Sequence, residues 1–212
     1  MTLGPALADG LRALGFTVEA ATQERLLDYV ALLVKWNRTY NLTAIREPAG
    51  MVRQHLLDSL AVLPHLPAGR SLRLLDVGSG AGLPGIPIAL ARPQWRVALL
   101  DSSAKKAAFL RQAVAELGLA NAEVIAMRVE DYRPALPYDV AISRAFADLE
   151  TFVGVACPLL DPAGRLLAMK GAVPAQEIER VAGCVRVLAV PQIDVPGLEV
   201  ERHLVIMEPG PA

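Results

Sequence analysis

The sequence predicts a doubly wound α/β domain, its sheet mostly parallel with one antiparallel strand, preceded by a helical segment. Three observations predict it. From Gly69 onward, short apolar runs alternate with stretches of helical length, as in a parallel sheet covered on both faces. The first of these runs leads into a turn with glycines in alternate positions, Gly78, Gly80 and Gly82. The last two runs have no helix between them, so they should pair as a hairpin with one strand antiparallel.

Residues 1–66 read as a helical N-terminal segment and residues 67–212 as the α/β domain. Leu7, Leu11 and Leu14 recur at helical spacing, and Gly15 stops that helix. A second helix should begin near 17–19, with Leu26, Leu27, Val30, Leu33 and Val34 as its apolar stripe. A third should run unbroken from Pro48 through Val52, Leu56, Leu57, Leu60 and Leu63 to Pro64. Strands are then expected at 71–77, 96–100, 123–127, 138–143, 164–169, 184–190 and 200–207. Helices are expected at 84–91, 103–117, 148–160 and 174–182.

The bulk numbers exclude several classes. Of 212 residues, 53% are hydrophobic and 20% charged, which fills a large core and leaves no case for disorder. The longest apolar stretches, such as 29–34, are far short of the roughly 20 residues that span a bilayer. The first residues lack the basic start and long apolar run of a secretory leader. Two cysteines, Cys157 and Cys184, suggest neither a disulfide framework nor zinc, and a reducing cytosol is the expected setting. His55, His65 and His203 are scattered, so no metal is expected. Net charge is −1, so a nucleic-acid partner would have to meet a local basic face. Arginine supplies most of the positive charge, lysine standing only at 35, 105, 106 and 170. A planar fork suits phosphates and guanine edges, although codon bias would give the same composition.

The loop Asp76-Val77-Gly78-Ser79-Gly80-Ala81-Gly82-Leu83-Pro84-Gly85 follows the first strand, where such sheets hold their ligands. A glycine loop alone suits dinucleotide, flavin and methyl-donor sites. Asp101 ends the second strand roughly 20 residues later, where a carboxylate can accept both ribose hydroxyls, which fits NAD and S-adenosylmethionine alike. Two details favour the methyl donor: the G-x-G-x-G spacing before Leu83-Pro84-Gly85, and the closing hairpin where a dinucleotide enzyme would add another parallel unit. The fold expected is therefore a class I S-adenosylmethionine-dependent methyltransferase. Asp76, Gly78, Gly80, Gly82, Leu83, Asp101 and Ser102 are the expected cofactor residues. After the third strand, Val129 and Glu130, rather than Asp131, should hold the adenine amino edge; a solvated acidic loop is the alternative.

With these pieces placed, the chain resembles a family. Lys35-Trp36-Asn37 with Tyr40-Asn41-Leu42-Thr43, His55-Leu56-Leu57-Asp58-Ser59-Leu60, the loop extended to Ile86-Pro87, and Leu99-Leu100-Asp101-Ser102 carry the likeness. So do Ser143-Arg144-Ala145-Phe146-Ala147, Lys170-Gly171 and Glu201-Arg202-His203-Leu204-Val205. These segments, in order from about Leu26 to Met207, resemble the bacterial 16S ribosomal RNA guanine-N7 methyltransferase G family, also called glucose-inhibited division protein B. The resemblance implies a cytoplasmic enzyme that converts S-adenosylmethionine to S-adenosylhomocysteine. It would make 7-methylguanosine in a loop of small-subunit ribosomal RNA, free or in the assembling subunit; a monomer is expected, and the sequence itself gives no reason to expect metal or membrane.

The residues agree with that chemistry. Guanine N7 offers a lone pair and no proton, so alignment is the main task and no general base is needed. The fourth strand ends Ile142-Ser143-Arg144-Ala145-Phe146, not in the Asn/Asp-Pro-Pro-Tyr/Phe of amino-group methylation. Cys157-Pro158 falls inside a predicted helix and reads as packing, not as the nucleophile of a cytosine-C5 enzyme. Arg144 is the expected catalytic side chain, anchoring a phosphate or guanine O6, and the resemblance puts it in cofactor contact; an ion pair with Asp76 is the alternative. Lys170, ending strand five, is the second expected catalytic residue. Phe146 would stack on the base or pack in the core. His55 and Asp58 share a helical face and either meet RNA or pack the helical segment on the domain. Arg53, Lys105, Lys106, Arg111, Arg128 and Arg202 are expected to form the RNA face with His55. N7 lies in a groove that side chains enter poorly, so the target should be unpaired. Another methyl acceptor, an NAD-dependent oxidoreductase and a non-enzymatic division protein are the competing readings.

Overall fold

A computed structural model describes residues 2–67, 71–144, 146 and 148–210. The Gly69 boundary and the residues Ala145 and Ala147 of the fourth-strand motif lie outside the described residues. The helical segment comprises α1 (Leu3–Ala13), α2 (Ala20–Tyr40), α3 (Pro48–Met51) and α4 (Asp58–Leu60). The sheet strands are β1 (Arg73–Val77), β2 (Arg96–Leu100), β3 (Ala122–Ile125), β4 (Tyr138–Ser143), β5 (Leu160–Lys170), β6 (Val185–Ala189) and β7 (His203–Pro209). Between them run α5 (Gly85–Ala91), α6 (Ala104–Glu116), α7 (Leu149–Ala156) and α8 (Ala175–Val181).

The strands line up as β3-β2-β1-β4-β5-β7-β6, and β7 runs antiparallel to both of its neighbours. The closing hairpin is therefore present. The chain reverses its direction of travel between β1 and β4, the switch point beside which ligands of such sheets sit. Register fixes what meets there. Asp76 pairs with Leu99 on one side and Ile142 on the other, so the glycine loop, Asp101 and Arg144 leave the sheet at one level.

Side chains alternate across the sheet and split the core in two. Leu74, Val97, Leu99, Val140, Ile142 and Leu204 face the helical segment, α5 and α6. Leu75, Ala98, Leu100, Ala141, Leu166 and Val205 face α7 and α8. Leu7 and Leu11 of α1, and Leu26, Tyr29 and Leu33 of α2, belong to the first of these clusters.

Several boundaries depart from the sequence reading. The third helix is not uniform: Val52–Leu57 is π-helical between α3 and α4. The expected helix over 148–160 stops at Ala156, because Pro158 has no N–H to continue it and a single 3₁₀ turn, Cys157–Leu159, follows. Cys157 is thus half-buried at a helix end rather than inside the helix. Strand β3 ends at Ile125, leaving Met127 exposed, and β7 starts at His203, leaving Arg202 in the lead-in.

Candidate active site

Two carboxylates shape the glycine loop. Asp76 is fully buried, and its Oδ2 accepts the Gly85 N–H at 2.9 Å. Asp101 Oδ2 accepts the Gly80 N–H at 2.9 Å, and its Oδ1 accepts Ser103 N–H at 2.8 Å. The loop has φ of +70° at Gly78, +59° at Gly80 and +85° at Gly82. At Gly82 space forbids a side chain as well: a Cβ would lie 2.4 Å from Ile86 Cδ1. From outside the sheet, the buried Tyr29 hydroxyl of α2 donates to the Ala81 carbonyl at 2.6 Å.

This loop walls a cavity of about 450 Å³. Gly78, Gly80, Leu83, Asp101, Ser102, Val129, Glu130 and Arg144 line it, as do Lys106, Arg128 and Phe146. Asp76 and Gly82 do not; they hold the loop from behind. Asp101 keeps lone pairs to spare on both oxygens, with Lys106 Nζ 3.6 Å away. Phe146 rests on Phe152, ring centres 5.7 Å apart. Leu42 and Thr43, just past the end of α2, line the cavity too. Asn41, at φ +49°, ends α2 in the left-handed conformation that asparagine tolerates and so turns the chain toward the loop.

Arg144 also lines a second cavity, of about 270 Å³, with Gln54, His55, Asp58, Lys170 and Arg202. Its guanidinium donates to the Gln54 carbonyl at 3.0 Å and lies 3.6 Å from Asp58 Oδ2. The ion-pair partner is thus Asp58, not Asp76: Asp76 is turned to Gly85, and Asp58 is delivered by the π-helical turn. In that turn the Asp58 N–H reaches the Arg53 carbonyl, five residues back, as well as that of His55, and the Gln54 carbonyl accepts from Arg144. Arg202 Nε holds the other Asp58 oxygen at 3.0 Å. Lys170 Nζ is 2.9 Å from Glu177 Oε2 and lies on the wall of this second cavity, not of the first. His55 Nε2 meets Thr43 Oγ1 at 2.9 Å, and its Nδ1 lies 2.9 Å from the Gln54 carbonyl.

Burial pushes Asp76 up to about 7, against the hydrogen bond its carboxylate accepts from the Gly85 N–H. Burial and then the Arg144 charge press His55 down to about 4, so the ring is neutral at physiological pH. Burial raises the Tyr29 hydroxyl far above its ordinary value, which keeps it a donor.

The expected RNA-contact residues divide. Lys106 and Arg128 stand on the first cavity, and His55 and Arg202 on the second. Lys105 lies over the Tyr40 ring at 5.3 Å. Arg53 packs beside Gly197, and Arg111 is exposed on α6; neither lines either of these two cavities. Sequence reasoning missed Tyr29, Leu42, Thr43 and Gln54. A tyrosine heading the apolar stretch 29–34 was the available signal for the first, and the conspicuous Asn41-Leu42-Thr43 for the next two; nothing marked Gln54, which acts through its backbone.

Among the described residues, no group of three or more His, Cys, Asp or Glu could hold a metal, and no helix is long and apolar enough to cross a membrane.

Comparison with known proteins places the chain. The family model described as rRNA small subunit methyltransferase G matches residues 22–205. A ribosomal RNA small subunit methyltransferase G from Nitrosospira multiformis is 50% identical over 209 residues, 95% of each chain. Its namesake from Aromatoleum aromaticum is 52% identical over 206 residues, 95% of this chain and 97% of the relative. Among solved structures, a SAM dependent methyltransferase from Aquifex aeolicus superposes with a TM-score of 0.59 at 18% identity, over 82% of this chain and 97% of that one. TrmN from Thermus thermophilus gives 0.57 at 18% identity, over 82% of this chain and 53% of that one. At that identity both likenesses concern the fold alone.

Proposed function

The chain belongs to the rRNA small subunit methyltransferase G family, and on that premise we propose that it methylates N7 of a guanine in an unpaired loop of 16S ribosomal RNA. S-adenosylmethionine is the methyl donor in this reading, leaving as S-adenosylhomocysteine. The observation that carries the reading is the shared wall: Arg144 borders both the glycine-loop cavity and the cationic cavity beside it. Donor and acceptor would meet across that side chain.

The residues present fit the donor. The larger cavity falls within the roughly 300–1,000 Å³ of small-molecule sites. Asp101 would hold the ribose hydroxyls with its spare lone pairs. Val129 and Leu100 offer apolar contact for the adenine, and Glu130 an acceptor for its amino group. The donor supplies a methyl group made electrophilic by the sulfonium charge.

The rest is alignment. N7 has no proton to lose, and the ionisable groups around the second cavity suit that: His55 is neutral and engaged on both nitrogens, while Arg144, Lys170 and Arg202 are each held by a carboxylate. Arg144 and Lys170 would serve by donating to guanine O6 or a flanking phosphate, leaving N7 facing the first cavity. Lys105, Lys106 and Arg128 would meet the backbone of the RNA around the target. The enzyme would act as a monomer in the cytoplasm, on the rRNA or the assembling small subunit.

The test is incubation with labelled S-adenosylmethionine and small-subunit particles that lack the modification, followed by borohydride and aniline cleavage, which reports 7-methylguanosine. Cleavage at one loop guanine is expected. Tight binding of S-adenosylhomocysteine without any cleavage product would overturn the acceptor assignment.

A further inference from the structure

His55 is 3% exposed; it lines the second cavity and its ring touches Thr43 on the wall of the first. Its partners fix its tautomer. The Gln54 carbonyl can only accept, so Nδ1 must carry the proton that faces it at 2.9 Å. Nε2 then accepts the Thr43 hydroxyl proton at 2.9 Å, and the hydroxyl oxygen in turn accepts the Ile45 N–H at 3.2 Å. The opposite tautomer would set a nitrogen lone pair against the Gln54 carbonyl oxygen. With Nδ1 protonated, the contact of Arg144 with Nδ1 at 3.3 Å carries no hydrogen bond, and ring and guanidinium converge on one carbonyl.

The segment at the other nitrogen is equally fixed. Asn37 Nδ2 donates to the Thr43 carbonyl at 3.0 Å, and its Oδ1 accepts the Thr43 N–H at 2.9 Å. Thr43 is therefore tied at its backbone by Asn37 and at its side chain by His55, and with Leu42 it lines the donor cavity.

We propose that His55 is a positioning residue with two separable tasks: Nε2 holds the Thr43 wall of the donor cavity, and Nδ1 fixes the Gln54 carbonyl on which Arg144 is oriented toward the acceptor. The inference rests on the guanine-N7 reading for its second task only. The first concerns the donor cavity alone.

The two nitrogens can be tested apart, because an asparagine amide can stand in for Nδ1 and a glutamine amide for Nε2. His55→Gln keeps the bond to Thr43 and loses the one to Gln54. Its affinity for S-adenosylhomocysteine should stay within twofold of the parent, while kcat on small-subunit particles falls about tenfold, the worth of one buried hydrogen bond. His55→Asn should show the reverse, S-adenosylhomocysteine binding about tenfold weaker with the smaller change in kcat. Thr43→Val, which deletes the hydroxyl and keeps the shape, should reproduce the binding loss of His55→Asn in a protein whose imidazole is intact. A purely structural histidine would lower affinity, kcat and melting temperature together in both variants, and that outcome overturns the proposal. If the parent binds S-adenosylhomocysteine but methylates no ribosomal RNA, the acceptor reading fails; the affinity difference between the two variants still decides the first task.

Discussion

Tyr29→Phe isolates the contribution of the helical segment to the donor cavity. The side chain is fully buried, and phenylalanine fills the same space, so the change removes one hydroxyl and leaves the packing against Phe109 in place. The hydroxyl donates to the Ala81 carbonyl at 2.6 Å, and Ala81 is itself on the cavity wall. A buried carbonyl stripped of its donor costs about 1–3 kcal/mol. For a chain of this length, that is a drop in melting temperature on the order of 5 °C. Part of the cost is relieved if the 78–82 turn shifts to let the carbonyl reach water, and that shift moves the amide of Gly80 away from Asp101. Stability and donor affinity should therefore fall together, read by thermal unfolding and by titration with S-adenosylhomocysteine. The reasoning is refuted if the variant melts within 1 °C of the parent, a margin set well inside the expected shift, and binds S-adenosylhomocysteine unchanged.

Three further outcomes follow from the same geometry. Asp101→Asn presents one acceptor oxygen where Gly80 and Ser103 need two, and S-adenosylhomocysteine affinity should drop about 10–100-fold, the worth of a charge-assisted hydrogen bond; equal affinity in titration would remove Asp101 from the site. Gly82→Ala adds a Cβ at φ +85° against Ile86 and should lose donor binding along with several degrees of melting temperature, whereas Gly118→Ala, at φ +58° with open space around it, should bind the donor normally. Two buried groups, His55 and Asp76, oppose each other in the pH dependence of stability. His55 is held near 4, so as pH falls from 6.5 toward 4 the unfolded chain takes up a proton that the folded chain refuses, and about 3 kcal/mol is lost. Asp76 is held near 7, so between 3.8 and 7 the folded chain keeps a proton that the unfolded chain has released, and stability falls by about 4 kcal/mol as pH rises. Urea unfolding across pH 4–7 should show a shallow profile in the parent and a rise with pH in Asp76→Asn. A flat Asp76→Asn profile would mean that His55 titrates normally.

How far the sequence reached depended on whether a residue acts locally. Strand-to-loop features were legible because they obey short-range rules: three glycines at alternate positions, an acid at the end of the next strand, and a closing hairpin without a helix. The register then carried Gly78, Asp101 and Arg144 to one level without further information. Contacts across layers were not legible. Tyr29 entered only as the head of the apolar stretch 29–34, because nothing local says that its hydroxyl will meet a carbonyl 52 residues on. The π-helical turn was hidden for a related reason: 48–63 has helical periodicity, and one inserted residue does not disturb that pattern enough to show. Yet that turn carries the Gln54 carbonyl to which Arg144 donates and leads into Asp58, which Arg144 and Arg202 share. An ion pair with Asp76 was the alternative reading of Arg144; the ion pair exists, but with Asp58, which reaches the guanidinium from the helical segment and so carries no local signal near the fourth strand.

The arrangement around Arg144 bears on why a complete glycine loop is accompanied by so long a helical segment. The sheet alone supplies the loop, Asp101 and the end of β4. It does not supply the carbonyl and carboxylate that orient the Arg144 guanidinium, which come from Gln54 and Asp58, nor the wall made by Leu42 and Thr43. A reaction that needs proton transfer places its demands on the pKa of a side chain at a strand end, and a sheet can meet those by itself. Alkylation of a lone pair demands only that sulfur, methyl and nitrogen be collinear, and the error tolerated is a fraction of an ångström. Such a demand is met by over-determining the side chains on both sides of the transfer. Arg144 is held by two partners from one layer while its backbone belongs to another, and Thr43 is held by Asn37 and His55 at once. Rigidity of that kind requires two packed layers to meet at the site, and the shared apolar cluster of α1, α2 and the sheet is what keeps them in register.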